Sequence, residues 1–221
     1  MKTSQLLHAC HEEWQHYIEH SFVHQLADGT LHHDAFLHYL KQDFLFLKHY
    51  ARAYALAIYK AKSLQQMRIA LPSLHALLDS EIGHHVEWCQ NWGISEIEME
   101  AETEDFGTVA YTRYVLDTGN QGDLIDLYVA LAPCAIGYGE IGANLAQRDS
   151  TLLEGNPYLS WLTMYGSEEF QQGVSQSIEN LDVLLADIDP DSARAQQLIE
   201  VFRTATRMEI AFWEQGLNAV K

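Results

Sequence analysis

The 221-residue chain contains 48% apolar residues, which is enough for one compact domain with a substantial buried core. It carries 13 lysines and arginines against 31 aspartates and glutamates, so the formal net charge is −18. A field of this sign repels phosphate backbones and anionic lipid headgroups, which argues against nucleic acid and membrane surfaces as partners. We therefore predict a single domain over residues 1–221 that binds neither.

The first 14 residues lack a long apolar core followed by a cleavage site, and polar residues interrupt the apolar runs before a membrane-spanning length. The chain has three cysteines, Cys10, Cys89 and Cys134. An odd number in a chain of this size fits a reducing compartment better than a disulfide framework. These features predict a cytoplasmic protein.

Apolar residues recur at spacings of three and four, which is the periodicity of amphipathic helices. A first helix is predicted from Leu7 to Ile18 and a second from Phe36 to Tyr50. Further helices are predicted over residues 64–91, 106–118, 122–147, 158–187 and 192–218. No alternating segment is long enough to propose a sheet, so the predicted fold class is all-α, a single multi-helix bundle.

The segment from Ala130 to Gly142 is an apolar helical stretch interrupted by Pro133 and by three glycines. Proline and glycine are costly inside a plain core helix, and a local rule broken at such a cost often marks a functional site. Cys134 and Tyr138 lie four residues apart, so one face presents a thiol and a phenol. Cys134 is a candidate nucleophile. The alternative is a small buried apolar residue.

Two acidic residues lie in strongly apolar helical surroundings, Asp43 in the second helix and Glu209 in the last. Buried carboxylates are expensive unless they have a partner, which is either structural or a ligand. Together with the thiol, they suggest acid–base and nucleophilic chemistry in a shared pocket. The alternative is that each carboxylate pairs with an arginine, for which the candidates are Arg52, Arg113 and Arg207.

Several aromatic residues could complete such a pocket by stacking on a flat heterocycle and supplying phenolic hydrogen bonds. The candidates are Phe46, Tyr111, Tyr138, Tyr165 and Phe212. Simple core packing is the alternative for each of them.

The twelve histidines all fall within the first 85 residues, and His16, His20 and His24 form a row at four-residue spacing. Helical phasing places this row on a solvated face. The pair Glu81 and His84 has the spacing of carboxylate di-iron bundles, but these normally need a second such motif, and the chain has none. We therefore predict no metal and no cofactor.

Five short motifs, in order along nearly the whole chain, resemble the TenA/thiaminase II family. They are Gln42-Asp43-Phe44-Leu45-Phe46-Leu47, Ala110-Tyr111-Thr112-Arg113-Tyr114, Pro133-Cys134 with Tyr138 and Glu140, Trp161 with Tyr165-Gly166, and Met208-Glu209 with Phe212-Trp213. The resemblance implies a haem-oxygenase-like bundle, a homotetramer, and hydrolysis of a thiamine-derived pyrimidine. The implied reaction converts 4-amino-5-aminomethyl-2-methylpyrimidine, and possibly thiamine, to the 5-hydroxymethyl compound in thiamine salvage.

The resemblance also assigns roles to residues. Cys134 matches the nucleophile of the cysteine-bearing branch, Glu209 the acid at the pyrimidine, and Asp43 the carboxylate that binds the aminopyrimidine edge. The tyrosines at 111, 138 and 165 match pocket positions, while Phe46 and Phe212 match residues that flank the ring. Phe46 replaces a tyrosine found in relatives, which removes one hydroxyl.

Two other functions remain open on the sequence. A di-iron oxidase on the same kind of bundle is favoured by Glu81, His84 and Glu140, although a second ligand set is missing. A non-enzymatic ligand-binding or regulatory protein would not require a reactive Cys134. The sequence shows neither a basic helix nor a helix-turn-helix signature, so it does not indicate DNA binding.

Overall fold

The structure is a computed structural model that describes residues 1–220, so Lys221, the last residue of the predicted domain, lies outside the described residues. Twelve α-helices occupy this range, with no strand among the described residues. They are α1 (Thr3–Ala9), α2 (His11–Ile18), α3 (Ser21–Asp28), α4 (His33–Lys60), α5 (Leu64–Ala76), α6 (Ile82–Asn91), α7 (Glu96–Ala101), α8 (Phe106–Gln121), α9 (Leu124–Gln147), α10 (Leu159–Tyr165), α11 (Glu168–Leu185) and α12 (Ala193–Asn218). The prediction of an all-α bundle is confirmed.

Four long helices, α4, α8, α9 and α12, pack against one another at the centre of the bundle. Helix α2 lies against α12 and α9, α10 and α11 lie against α9, and α5 and α6 cover α4. The buried apolar side chains form one continuous cluster. Because α4 touches helices on several sides, its run from Gln42 to Leu47 is buried throughout, which explains how Asp43 comes to lie inside the protein.

Helix α12 begins as predicted, because the side chain of Ser192 accepts a hydrogen bond from the amide of Ala195. The predicted helix over 122–147 begins at Leu124 instead, since Asp123 caps it by accepting from the amides of Ile125 and Asp126. The predicted end at residue 118 was wrong. Gly119 is buried against Leu127 and Leu56 side chains, so packing carries α8 through it to Gln121.

Three predicted helices are divided. The segment from Leu7 to Ile18 is split between α1 and α2, because the backbone of Cys10 leaves the helical conformation there (φ −115°, ψ 25°). The segment 158–187 forms α10 and α11, because the chain breaks at Gly166 and Ser167, where the Ser167 side chain caps α11. The segment 64–91 is interrupted by a π-helical turn at Leu77–Glu81. In this turn the amide of Ile82 bonds the carbonyl of Leu77, five residues back, so one extra residue enters the helix between α5 and α6.

Helix α9 corrects the prediction about membrane-spanning length. By length and composition it is apolar enough to cross a bilayer, with a mean hydropathy of 1.4 over its most apolar window. However, 67% of that window is buried inside the bundle, as in the core helix of a globular protein.

Candidate functional site

Asp43 is held at the centre of the bundle by hydrogen bonds from two other residues. The Tyr39 hydroxyl donates to its Oδ2 at 2.8 Å, and the Nε2 atom of His85 lies 2.7 Å from the same oxygen. The side chain of Asp43 is 4% exposed and that of His85 is fully buried. Asp43 therefore has structural partners, and both of them approach Oδ2 rather than Oδ1.

The ring of His85 is oriented from its other side by the backbone. Its Nδ1 atom lies 2.9 Å from the carbonyl oxygen of Glu81, which can only accept, so Nδ1 carries a proton. Burial by itself lowers the pKa of His85, but the hydrogen bond to Asp43 and the charges of Asp43 and Glu81 outweigh it and raise the pKa. These two contacts hold the ring with Nδ1 toward Glu81 and Nε2 toward Asp43.

Glu209 lies at a different wall of the same interior region. It is 2% exposed, and its Oε1 atom accepts a hydrogen bond from the Tyr111 hydroxyl at 2.7 Å. Burial raises the pKa of Glu209 to about 8, although the Tyr111 hydrogen bond works against the shift. The Tyr17 ring also lies beside this carboxyl, and its buried hydroxyl completes no hydrogen bond. At neutral pH, Glu209 is a protonated acid that can donate to a ligand.

Cys134 lies on the buried side of α9, with its thiol surrounded by the acidic groups. Burial raises its pKa well above the usual value, and the charges of Glu209, Glu81 and Asp43 raise it further. The nucleophilic thiolate therefore forms only when its proton is taken up or when a ligand offsets the negative charge.

Aromatic rings line the space between these groups. The Phe46 ring lies with its centroid 4.8 Å from that of Tyr111 and 5.7 Å from that of Phe212. The Tyr138 and Tyr165 centroids are 4.9 Å apart. Tyr39 joins the two sets, because its ring lies 6.1 Å from Phe212 and its hydroxyl 3.4 Å from that of Tyr138.

The structure thus brings the eight predicted site residues into one region inside the bundle. The region is apolar in its walls, acidic in its charge, and supplied with several phenols. Such an arrangement suits a flat, polar heterocycle that can donate hydrogen bonds and carry positive charge.

The predicted alternative of an arginine partner for each carboxylate was wrong. Arg113 pairs with Glu104 at 2.6 Å, and Arg207 lies 3.6 Å from Glu13. Arg52 contacts the ring of His49. These three cations lie at the surface because a guanidinium is strongly solvated, so the interior carboxylates are partnered by phenols and an imidazole instead.

The Glu81 and His84 pair does not act as a unit. His84 is half-buried and stacks on Trp88, while it is His85, the next residue, that reaches Asp43. Glu140 accepts a hydrogen bond from the Trp14 indole at 2.8 Å, next to α2. Within residues 1–220, no group of three or more His, Cys, Asp or Glu side chains is arranged to hold a metal ion.

The prediction of a solvated histidine row was wrong for His20. The chain breaks between α2 and α3, and His20 is 3% exposed there. Its Nδ1 atom accepts from the amide of Phe22, so it caps α3, and its Nε2 atom lies 3.0 Å from Glu214.

Four residues near the site were not among the predicted site residues, namely Tyr17, Tyr39, Glu81 and His85. Tyr39 and Tyr17 follow the same periodicity as the core and carry no signal of their own. Glu81 ends the π-helical turn and His85 follows it on α6, and the turn alters the helical phase on which a sequence argument depends. The available signal for them was their spacing, because His85 follows Glu81 by four residues, which is about one helical turn.

The comparisons with known proteins agree with this geometry. The model of the TENA/THI-4/PQQC family matches residues 8–219. The chain belongs to this family. An uncharacterized protein of Haemophilus influenzae is 44% identical, over 97% of this chain and 98% of that protein. The aminopyrimidine aminohydrolase of Halalkalibacterium halodurans is 34% identical, over 93% of this chain and 90% of the enzyme.

Solved structures of family members share the fold. A TenA family transcription regulator from Silicibacter sp. TM1040 is 38% identical with a TM-score of 0.90, covering 97% of this chain and 95% of that one. A TenA homologue from P. horikoshii is 27% identical with a TM-score of 0.86, and 98% of each chain is covered. A haem-oxygenase-like domain from Shewanella denitrificans, 14% identical with a TM-score of 0.75 over 99% of this chain and 93% of that one, confirms the predicted fold.

The predicted membership of the TenA/thiaminase II family is therefore confirmed. A second relative, the aminopyrimidine aminohydrolase of Helicobacter pylori, is 31% identical over 99% of this chain and the whole of that enzyme. With these relatives, the prediction that the chain is a hydrolase of the thiaminase II type is confirmed as well.

Proposed function

We propose that this hydrolase acts on 4-amino-5-aminomethyl-2-methylpyrimidine and releases the 5-hydroxymethyl compound and ammonia, with Cys134 as its nucleophile. The observation that carries the proposal is the place of the Cys134 thiol, which is buried near Asp43, Glu81 and Glu209 in a region rich in aromatic rings. The names of the Halalkalibacterium and Helicobacter relatives support an aminopyrimidine substrate. A place in thiamine salvage follows from the product of this reaction.

Recognition of the ring divides between two walls of the pocket. Asp43 is fixed through Oδ2 by Tyr39 and His85, so Oδ1 is the acceptor for the 4-amino group. Phe46 and Phe212 flank the ring plane. The hydroxyl groups available to the polar edge belong to Tyr111, Tyr138 and Tyr165. Since Phe46 has no hydroxyl, it contributes contact area alone.

The covalent steps follow from the proton states of the acidic groups. The Cys134 thiol gives its proton to a water molecule as its sulfur adds to the pyrimidine ring, while Glu209, which holds its proton at neutral pH, protonates a ring nitrogen. Electrons then flow to the exocyclic carbon and expel the leaving group. Water adds to the resulting methylene, and the proton that it releases replaces the one that leaves with ammonia. The ring nitrogen then returns its proton to Glu209, and the Cys134 thiolate departs and recovers its proton from water. The net reaction consumes one water and releases ammonia.

The test is turnover of the aminomethyl-pyrimidine and of thiamine by the purified protein, followed as ammonia or thiazole together with the hydroxymethyl product. We expect turnover that Cys134→Ala lowers by at least about a thousandfold, since a nucleophile in a covalent mechanism cannot be replaced by a methyl group. Circular dichroism controls for folding of the variant. Full activity of a folded Cys134→Ala protein would exclude covalent catalysis, and no turnover of either substrate would exclude the proposed function.

We also propose that the protein is a homotetramer, on the family resemblance, and that it is cytoplasmic, on its three free cysteines. Large apolar side chains that stay on the surface of the single chain support assembly, namely Tyr59, Ile97 and Phe106, which are 85%, 81% and 95% exposed. Light scattering should give four times the 25.2 kDa chain mass. A monomer mass would contradict the proposal.

A further inference from the structure

A third carboxyl group, that of Glu81, lies beside the site and has no part in the chemistry described above. It is the last residue of the π-helical turn, and its Oε1 atom accepts a hydrogen bond from the Tyr165 hydroxyl at 3.0 Å. Its backbone carbonyl holds the ring of His85. The carboxyl is close enough to Cys134 to raise the pKa of the thiol. Because π-helical turns are rare and often occur at functional sites, the position of Glu81 in this turn indicates that its carboxyl takes part in the function.

Glu81 differs from the other two carboxyl groups in its access to solvent. Asp43 and Glu209 are 3% and 2% exposed, whereas Glu81 is only half-buried. A group that must give up a proton in every turnover, and recover one afterwards, needs contact with water or with a substrate-derived water. Of the three residues, Glu81 is the most exposed, although its carboxyl is desolvated.

The surroundings of Glu81 bring the pKa of its carboxyl close to neutral pH. Burial of the carboxyl raises its pKa to about 7, while His85 and the Tyr165 hydrogen bond work against the shift and Asp43 adds to it. The titratable groups that interact with it come from four helices: Asp43 and Tyr54 on α4, His85 on α6, Cys134 on α9 and Tyr165 on α10. No lysine or arginine is among them.

We propose that Glu81 is the acid that delivers a proton to the departing amine, and that it thereby selects an amine over a thiazolium as the leaving group. The inference rests on the proposed function. It assigns the two proton transfers to different residues, with Glu209 at the ring nitrogen and Glu81 at the exocyclic nitrogen.

The step balances without any further reactant. As the bond between the exocyclic carbon and nitrogen breaks, the electron pair stays on nitrogen, which takes the proton of the Glu81 carboxylic acid and leaves as ammonia. The Glu81 carboxylate then accepts a proton from the water whose oxygen bonds the methylene carbon. A thiazolium needs no such help, because its nitrogen is already quaternary and it departs as a neutral thiazole.

This difference between leaving groups provides the test. Glu81→Gln keeps an acceptor for the Tyr165 hydroxyl but has no acidic proton. We expect it to lower kcat on the aminomethyl-pyrimidine by about a hundredfold or more, the usual contribution of a positioned acid. Its kcat on thiamine, and on an analogue with pyridinium in place of thiazolium, should change by less than about threefold. On the amine substrate, the wild-type protein should lose activity as the pH rises through about 7, and the variant should not.

Two further variants secure the comparison. Glu140→Gln makes the same change in a carboxylate that also accepts one hydrogen bond from an aromatic side chain, and it should alter neither activity. Glu81→Asp retains an acidic proton at shorter reach, so it should lose activity on the amine substrate alone, and less than Glu81→Gln does.

Equal losses on amine and pyridinium substrates in both Glu81 variants would show that Glu81 supports the pocket generally, which overturns the inference. Unchanged turnover of the amine would overturn it as well. If the wild-type protein turns over neither kind of substrate, the proposed function fails first and this role fails with it.

Discussion

The acidic residues of the site show how identical functional groups acquire different properties from their neighbours. Burial raises the pKa of Glu209 to about 8, although the hydrogen bond from the Tyr111 phenol opposes this shift. Asp43 is hydrogen-bonded by His85, whose pKa is raised because this hydrogen bond and the charges of Asp43 and Glu81 outweigh burial. One acid is therefore prepared to donate a proton and the other to accept hydrogen bonds. This pairing of unlike acidic groups is what acid–base chemistry at neutral pH requires.

Gly137 shows how a residue without a side chain controls this arrangement. A Cβ atom at this position would lie 2.1 Å from the Tyr17 ring, and Tyr17 is fully buried beside Glu209. Gly142 has the same property, since its Cβ would lie 2.3 Å from the backbone carbonyl oxygen of Tyr165. The glycines of α9 thus allow α2 and α10 to approach closely enough to close the pocket.

We predict that Gly137→Ala lowers stability by about 1–3 kcal/mol, because the packed Tyr17 ring has no room to move. Displacement of Tyr17 from Glu209 should also lower turnover. Urea unfolding and steady-state kinetics measure the two effects. Gly173→Ala is the matched control, because nothing lies within 4 Å of its Cβ, and it should be neutral or slightly stabilising. Equal behaviour of the two variants would show that the close approach has no consequence.

Among the elements, the π-helical turn between α5 and α6 has the largest effect on the site. Its extra residue changes the phase of the helix just before Glu81 and His85, and these two residues are the ones that contact Tyr165 and Asp43. A regular helix through this segment would turn one of the flanking pieces by about 100° relative to the other. The turn therefore fixes which faces of α5 and α6 meet α4.

Removal of one residue from this turn tests the point. We predict that deletion of Asp79, which is exposed, allows a regular α-helix and preserves the helical content, but lowers activity at least about tenfold because Glu81 and His85 lose their positions. Circular dichroism and kinetics report the two outcomes. Asp79→Ala is the control and should retain activity. A deletion variant with wild-type kinetics would show that the π-helical turn is incidental.

At the scale of the whole molecule, the site is maintained at a cost in stability that depends on pH. Folding raises the pKa of Glu209 from an ordinary value of 4.5 to about 8, and it raises those of Glu81 and His85 too. For each group the folded state binds the proton more tightly than the unfolded state. The stabilisation is therefore complete below the ordinary pKa and is lost as the pH rises through the folded value.

We predict that the free energy of unfolding falls between about pH 5 and pH 8, and that Glu209→Gln removes part of this fall. The part due to one group with a shift of this size is on the order of a few kcal/mol at most. Urea denaturation at pH 5.5 and pH 8 in both proteins measures it. A wild-type stability that rises over this interval would contradict the pKa directions.

Much of the fold was predictable because it depends on local pattern. The spacing of apolar residues predicted the long helices, and it predicted the start of α12 to within one residue. The predictions failed where packing overrides local preference, as at Gly119, where burial against Leu127 and Leu56 keeps the helix intact. They also failed at the π-helical turn, since an extra residue in a helix has no clear signature in the periodicity.

The eight predicted site residues were found from their surroundings and from family motifs, because an acid or a cysteine within an apolar helix is conspicuous in the sequence. Their partners could not be found in this way. Tyr39 and Tyr17 look like any core aromatic, and His85 looks less promising than His84, which proved to stack on Trp88.

The sequence by itself determined the helical class, the acidic charge and the residues that carry reactive groups, since these follow from composition and from the order of neighbours along the chain. The tertiary structure alone decided which groups meet, and so which proton each one holds. Asp43 and His85 are 42 residues apart, and Tyr111 and Glu209 are 98 apart. Desolvation and hydrogen bonding act over a few ångströms in space, and only the packed bundle sets those distances.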